Sequence, residues 1–285
     1  MAKIIDGKHV SQLMRDQIKD ETAKLTQQMK RQPKLVVIIV GENPASLSYI
    51  KRKEKDAISV GFLSETIALP ENIDEHELLT IIQRLNDDAT AHGILVQLPL
   101  PKHIDENKII AAINPKKDVD GFHPVQVGRL SIGLESLQPC TPAGIMALLS
   151  YYDISVAGKH AVIVGRSNIV GKPMAALLLK NDATVTIVHS KTKNLLDLTS
   201  QADILIVAIG QPHFIKKTML KQGAVVIDVG INRIENKLVG DVAFDEIKEK
   251  CAAITPVPGG VGPMTIAMLL HNTLQAYKYA IKKTP

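Results

Sequence analysis

Short apolar runs punctuated by Gly or Pro alternate along this chain with longer amphipathic stretches. Parallel strands covered on both faces by crossover helices leave that trace in a sequence. In the first half the pattern predicts strands at residues 35–40 and 94–98, and helices around 10–30, 45–60 and 74–90. In the second half, residues 161–164, 184–188, 204–208 and 225–229 read as strands separated by helical segments, which is the layout of a doubly wound, Rossmann-like parallel sheet. The chain is therefore expected to be α/β. The stretch from Pro115 to Pro142 mixes Asp, Gly, His and Pro, and Thr141-Pro142 looks like an N-cap with Pro in the first helical turn. A change of domain is expected there. From Thr255 to Pro263 prolines without donors and glycines suited to unusual dihedrals predict a loop. An amphipathic helix over residues 264–280 should follow and return to the first half.

Length agrees with two domains and a cleft between them, since 285 residues exceed the usual size of one. The first is expected over residues 1–140, completed by a C-terminal helix at 265–285, and the second over 141–264. A hydrophobic fraction of 45% with 22% charged residues supplies enough apolar surface to offset chain entropy, which a disordered chain lacks. The formal charge of +5 favours small anions. Nucleic acid is not expected, because 3% aromatics and no Trp leave few stacking platforms and no dense Lys/Arg tract is present. Cys140 and Cys251 lie far apart and outside any Cys-x-x-Cys pair, which fits a reducing compartment. No two histidines stand at the i, i+4 spacing that aims both at one ion, so no metal is expected. Without a signal-peptide pattern or a membrane-length apolar run, the location expected is cytoplasmic, with no membrane partner.

Five segments carry candidate chemistry. Gly165-Arg-Ser-Asn-Ile-Val-Gly171-Lys-Pro173 follows an apolar strand and opens a helix, as a dinucleotide fingerprint must. It is a variant, with Ser167 in place of the second Gly and Gly171 one residue late, and an ordinary strand–helix turn would read the same way. The helix N-terminus would still offer backbone N–H groups to a pyrophosphate. The next strand ends in Val188-His189-Ser190-Lys191, where an NAD-specific site would carry an acid for the ribose. A hydroxyl and a cation beside Arg166 instead suit a 2′-phosphate, which makes NADP the better expectation than a solvated loop.

On the helix around 45–60, Tyr49, Lys53, Ala57 and Val60 fall on one arc at about 100° per residue, with Lys51, Arg52 and Lys55 roughly opposite. Lys53 is either a snorkelling side chain or a desolvated amine able to move protons. Gln97 interrupts an apolar strand near its carboxyl end, where ligands bind in open parallel sheets. Tyr49, Lys53 and Gln97 could therefore converge. Lys117-Asp118-Val-Asp120-Gly-Phe-His123 adds two carboxylates that suit a flat, donor-rich heterocycle, or else form an Asp-Gly turn.

Taken together, Tyr49-x-x-x-Lys53, Val96-Gln-Leu-Pro-Leu-Pro101, Lys117-Asp-Val-Asp-Gly121, Pro139-Cys-Thr-Pro142, Gly165-Arg-Ser-x-x-Val-Gly-x-Pro173 and Pro256-Val-Pro-Gly-Gly-Val-Gly-Pro-Met-Thr265 resemble the motif series of methylenetetrahydrofolate dehydrogenase/cyclohydrolases. Order and spacing match across nearly the whole chain. The resemblance implies oxidation of 5,10-methylenetetrahydrofolate by NADP+ and hydrolysis of the methenyl product to 10-formyltetrahydrofolate, in one-carbon metabolism and purine biosynthesis. It implies catalytic roles for Lys53, Gln97, Asp120 and Tyr49. Folate would also meet Val96, Leu98, Pro258, Gly259, Gly260, Val261 and Gly262. NADP would meet Gly165, Arg166, Ser167, Val170, Gly171, Pro173, His189, Ser190 and Ile231. A homodimer is implied as well, and hydrophobic faces on the short strands after Gly210 could support one. The rival reading is another NADP oxidoreductase of shikimate-dehydrogenase type, with Lys53 and Asp120 as its acid/base pair; Gln97 and the Pro-Gly-Gly-Val-Gly loop speak against it. A non-catalytic nucleotide-binding module would bind NADP and turn over no folate.

Overall fold

A computed structural model describes residues 2–235 and 237–282, and the chain folds in it as two compact units. One comprises Leu13–Cys140 and Ile266–Pro285, the other Met1–Gln12 and Thr141–Thr265. The last residues of the expected C-terminal helix, 283–285, lie outside the described residues.

The unit holding Leu13–Cys140 is built on a three-stranded parallel sheet in the order Leu63–Leu69, Lys34–Val40, Gly93–Val96. The central strand, Lys-Leu-Val-Val-Ile-Ile-Val, is buried from Leu35 to Val40, as expected of a strand covered on both faces. Against it packs the helix Glu75–Asp87, whose N-cap Asp74 accepts the N–H of His76 and whose Leu78, Ile82 and Leu85 recur at three- and four-residue steps. The expected strand at 94–98 ends at Val96, although the N–H of Gln97 still donates to the carbonyl of Ile38 at 2.8 Å. Leu63–Leu69 was not anticipated: its Ser-Glu-Thr centre breaks the apolar run, which an edge strand with no fully buried residue tolerates.

The other unit carries a six-stranded, wholly parallel sheet in the order Lys3–Ile4, Ala253–Ile254, Val225–Asp228, Ile204–Val207, His160–Val164, Thr184–Val188. The strand order reverses at His160–Val164, which pairs with Thr184–Val188 on one side and Ile204–Val207 on the other. The doubly wound sheet expected for the second half is thus present, and the crevice beyond the carboxyl end of His160–Val164 is its ligand position. One expectation is corrected here. Residues 255–263 do not form a loop throughout, because the helix Val261–Ile281 starts three residues before Met264. Pro263 sits in its first turn, where an absent N–H removes no helical bond.

Two buried carboxylates fasten the connections at the carboxyl end of this sheet. Asp228 accepts the N–H groups of Gly230, Asp241 and Val242, each at 3.0 Å. Asp241 accepts those of Ile209 and Gly210 at 2.8 and 2.9 Å, and the side-chain amide of Asn232 at 2.9 Å. Burial pushes the Asp228 carboxyl up to about 7, while its N–H partners pull it back toward the ionised form. In Asp228→Asn an NH2 group must face a backbone N–H, so the variant should lose about 1–3 kcal/mol. A urea midpoint equal to that of the wild type would show that these bonds contribute no net stability.

Among the described residues no helix is long and apolar enough to cross a membrane. None of their His, Cys, Asp and Glu side chains gather in threes as a metal site would require.

Candidate active site

The helix Pro44–Ser59 turns the arc of Lys53, Ala57 and Val60 into its unit and leaves Lys51, Arg52 and Lys55 exposed. Lys53 is 5% exposed. Its Nζ donates to Oε1 of Gln97 at 2.9 Å and lies 4.7 Å from the centroid of the half-buried Tyr49 ring. The other end of the Gln97 amide donates from Nε2 to the carbonyl of Leu98 at 2.8 Å, which fixes Oε1 toward the lysine. Tyr49, Lys53 and Gln97 are thereby brought together. Burial lowers the Lys53 pKa from its ordinary value, and the nearby charges of Asp120 and Cys140 raise it in part. Burial raises the Asp120 carboxyl, and Lys53 lowers it. The pair biases one proton between an amine and a carboxylate, the amine held by an amide, which is equipment for acid–base work.

The two carboxylates at 118 and 120 separate in role. Asp118 is 1% exposed and accepts the N–H groups of Gly121 at 3.2 Å and His123 at 2.7 Å. Burial pushes it up to about 7 and these bonds lower it. It is spent on the turn, which bears out the Asp-Gly turn alternative for Asp118 and leaves Asp120 as the carboxylate that the turn does not consume. Gly121 has φ of 75°, and a Cβ there would meet the Leu137 carbonyl and the Gln138 backbone at 2.6 Å. Val96 is 5% exposed within the hydrophobic core, and the partly buried Leu98 packs against the same cluster. The sequence assigns Cys140 no role in the site, although it lies in the Pro139-Cys-Thr-Pro142 motif. In the structure its Sγ donates to the carbonyl of Val119 at 3.3 Å, and burial raises the thiol well above its ordinary value. Its place in Pro139-Cys-Thr-Pro142 was the one available signal.

In the other unit, the turn after His160–Val164 is built for close approach. Gly165 has φ of 125°, and a Cβ on it would collide with the carbonyl of Ala208; one on Gly171 would collide with the carbonyl of Gly165. Arg166 and Ser167 are exposed, whereas Val170, Gly171 and Pro173 are buried at the start of the helix Gly171–Lys180. Ser167 Oγ accepts the N–H groups of Val170 and Gly171 at 3.1 and 3.3 Å, so the chain itself occupies two amides expected to face a pyrophosphate. Val164 and Val188 are register partners, which sets Arg166 and Ser190 at the same end of adjacent strands. His189 and Ser190 open a turn closed by Thr192, with the His189 N–H donating to Thr192 Oγ1 at 3.0 Å. Ile231 is 60% exposed, and its Cδ1 would lie 3.6 Å from a Cβ on Gly262. The turn from Pro258 to Gly260 is held by the Lys8 N–H, which donates to the carbonyl of Gly259 at 3.0 Å; Gly260 and Val261 are buried, Pro258 exposed.

A glycine-built turn at the switch point of a doubly wound sheet fits a dinucleotide and places this chain among nucleotide-dependent α/β oxidoreductases. The chain belongs to the tetrahydrofolate dehydrogenase/cyclohydrolase family: that family's catalytic domain matches residues 5–120 and its NAD(P)-binding domain residues 139–281. A bifunctional protein FolD of Streptococcus uberis is 59% identical over 277 residues, covering 97% of this chain and 98% of the relative. The crystal structure of a bifunctional FolD methylenetetrahydrofolate dehydrogenase/cyclohydrolase from Campylobacter jejuni is 50% identical with a TM-score of 0.96, covering 98% of this chain and 99% of that one. The Trypanosoma brucei N5,N10-methylenetetrahydrofolate dehydrogenase-cyclohydrolase, complexed with NADP and inhibitor, is 40% identical with a TM-score of 0.95 and 99% coverage of both. A shikimate dehydrogenase from Thermus thermophilus, at 15% identity, TM-score 0.52 and 88% and 94% coverage, shares the fold alone.

Proposed function

We propose that this protein oxidises 5,10-methylenetetrahydrofolate to the 5,10-methenyl cation with NADP+ and hydrolyses that cation to 10-formyltetrahydrofolate. The observation that carries the reading is the buried Lys53, hydrogen-bonded to Gln97 and electrostatically coupled to Asp120, in a member of this family. NADP+ supplies, when bound, the ring that accepts hydride. Both reactions act on the one-carbon bridge, so one bound folate serves both. The tyrosine ring of Tyr49 packs on the folate, Asp120 bonds the donor edge of the pterin, and Val96, Gln97 and Leu98 line the site. This positioning is the chief requirement of hydride transfer, since a nitrogen lone pair adjacent to the bridge pushes the hydride out.

Hydrolysis needs protons moved. Neutral Lys53, oriented by Gln97, takes a proton as water adds to the methenyl carbon. The resulting ammonium returns it to N5 as the carbon–N5 bond breaks, which leaves the formyl group on N10, and the water's second proton is released.

The unit of Leu13–Cys140 and Ile266–Pro285 is the folate-binding part and that of Met1–Gln12 and Thr141–Thr265 the NADP-binding part, so the first twelve residues, expected with the former, go with the latter through the strand Lys3–Ile4. The protein is cytoplasmic and pairs as a homodimer through the hairpin of Asn232–Ile234 and Lys237–Val239, where Ile231, Ile234 and Leu238 are 60%, 40% and 40% exposed.

Gly165, Ser167, Val170, Gly171, Pro173 and Ile231 shape the dinucleotide position, while Arg166, His189 and Ser190 hold the 2′-phosphate. NADP+ should therefore outperform NAD+ in oxidation assays. Loss of a charge-assisted bond of about 1.5–3 kcal/mol in Arg166→Ala should raise KM for NADP+ roughly 10- to 150-fold and leave KM for NAD+ near its wild-type value. Equal weakening toward both cofactors would remove Arg166 from the phosphate pocket. The wider proposal fails if purified protein with NADP+ oxidises no methylenetetrahydrofolate.

A further inference from the structure

Asp120 is placed by a turn, and the turn is gripped from both sides. Its own Asp118 carboxylate closes it from within. From outside comes Asn272, 3% exposed on the helix Val261–Ile281, whose Nδ2 donates to the carbonyl of Val119 at 2.9 Å and to that of Gln138 at 2.8 Å. Two carbonyl partners require the donor end of the amide on that side, so its orientation is settled by chemistry. Cys140 Sγ donates to the same Val119 carbonyl and lies 3.6 Å from Asn272 Nδ2. Val119 itself is fully buried and is bonded directly to Asp120. One side-chain nitrogen thus links the turn carrying Asp120 to the segment Gln138–Cys140, against which Gly121 is packed without room for a Cβ.

We propose that Asn272 is a positioning residue for hydrolysis, holding the Asp120 carboxylate beside Lys53 by clamping the carbonyls of Val119 and Gln138. The inference rests on the reading of Lys53 and Asp120 given above. Removing both donors takes the amide from the half-buried Gln138 carbonyl and leaves the buried Val119 carbonyl with only the weak thiol donor of Cys140, and the turn relaxes toward water. Displacement of a reacting group by an ångström costs on the order of 100-fold, so a partial shift of Asp120 should be visible in turnover.

The groups that bear on the Lys53 charge are Asp120 and Cys140, together with the ring of Tyr49 and the amide of Gln97. The Asp120 charge raises the pKa of Lys53, so moving Asp120 away lowers it further. Lys53 works here in its neutral form, and the acidic limb of the hydrolysis profile should then move to lower pH. A residue that merely stabilises the fold would leave that limb in place.

The test is the pH dependence of kcat for methenyl hydrolysis in the full-length protein, for wild type, Asn272→Leu, Asn272→Ser and Asp120→Asn. Asn272→Leu should lose about tenfold or more in kcat, keep its KM for NADP+, and shift its acidic limb down as Asp120→Asn does. Asn272→Ser retains one donor and should fall between, which keeps the test decisive if the leucine variant does not fold. A profile for Asp120→Asn unchanged from wild type would overturn the underlying site reading. If Asp120→Asn shifts the limb and a folded Asn272→Leu or Asn272→Ser does not, the clamp is wrong and the site reading stands.

Discussion

Lys53→Met should cut hydrolysis of methenyltetrahydrofolate by about 100- to 10,000-fold, the usual worth of a positioned acid or base. Methionine keeps the length of the side chain in its buried place and removes the amine that donates to Gln97. Oxidation should survive in part, because hydride leaves a carbon and no heteroatom gives up a proton, and the contacts of Tyr49 and Asp120 remain. The methenyl compound should therefore accumulate when methylenetetrahydrofolate and NADP+ are supplied. The pH dependence carries a sign as well. Burial lowers the Lys53 pKa, so wild-type hydrolysis should rise as pH climbs through that lowered value, and the variant's residual rate should lose this limb. A folded Lys53→Met protein that hydrolyses at nearly the wild-type rate would make Lys53 an ordinary snorkelling side chain.

Asp120→Ala is expected to damage both activities, in contrast to Lys53→Met. If Asp120 bonds the pterin edge, its loss removes a charge-assisted contact of about 1.5–3 kcal/mol, or roughly 10- to 150-fold in kcat/KM for each reaction. The fold should hold, since burial penalises this carboxylate and the turn is maintained by Asp118 through Gly121 and His123. Parallel assays with a thermal melt settle the matter. Loss of one activity alone would confine Asp120 to a local proton-transfer role, and a large drop in melting temperature would recast it as a turn-forming residue.

The strands Lys34–Val40, His160–Val164, Ile204–Val207 and Val225–Asp228 are legible because burial on both faces demands continuous apolar runs. Lys3–Ile4 and Ala253–Ile254 are not, since two residues leave no periodicity and only pairing partners distant in sequence make them strands. The helix starting at Val261 was concealed by Gly262 and Pro263, whose composition signals a loop although both are tolerated in a first turn. In the site, the spacing of Tyr49 and Lys53 is local and was readable, as was the anomaly of Gln97 in an apolar strand. The division of labour between Asp118 and Asp120 was not, because it depends on which carboxylate the backbone consumes. Asn272 was invisible for a stronger reason: its partners lie 153 and 134 residues away, and no local pattern distinguishes it from other polar residues on a helix.

That one protein performs both steps on one folate is tested most directly by a single progress curve. Purified wild-type protein is given 5,10-methylenetetrahydrofolate and NADP+, with NADPH and the methenyl compound followed together by absorbance and the folate product identified at the end. NADPH should form while the methenyl compound stays far below it and 10-formyltetrahydrofolate accumulates in its place. The account is contradicted by NADPH matched mole for mole by methenyl compound that decays no faster than in buffer, or by no NADPH at all.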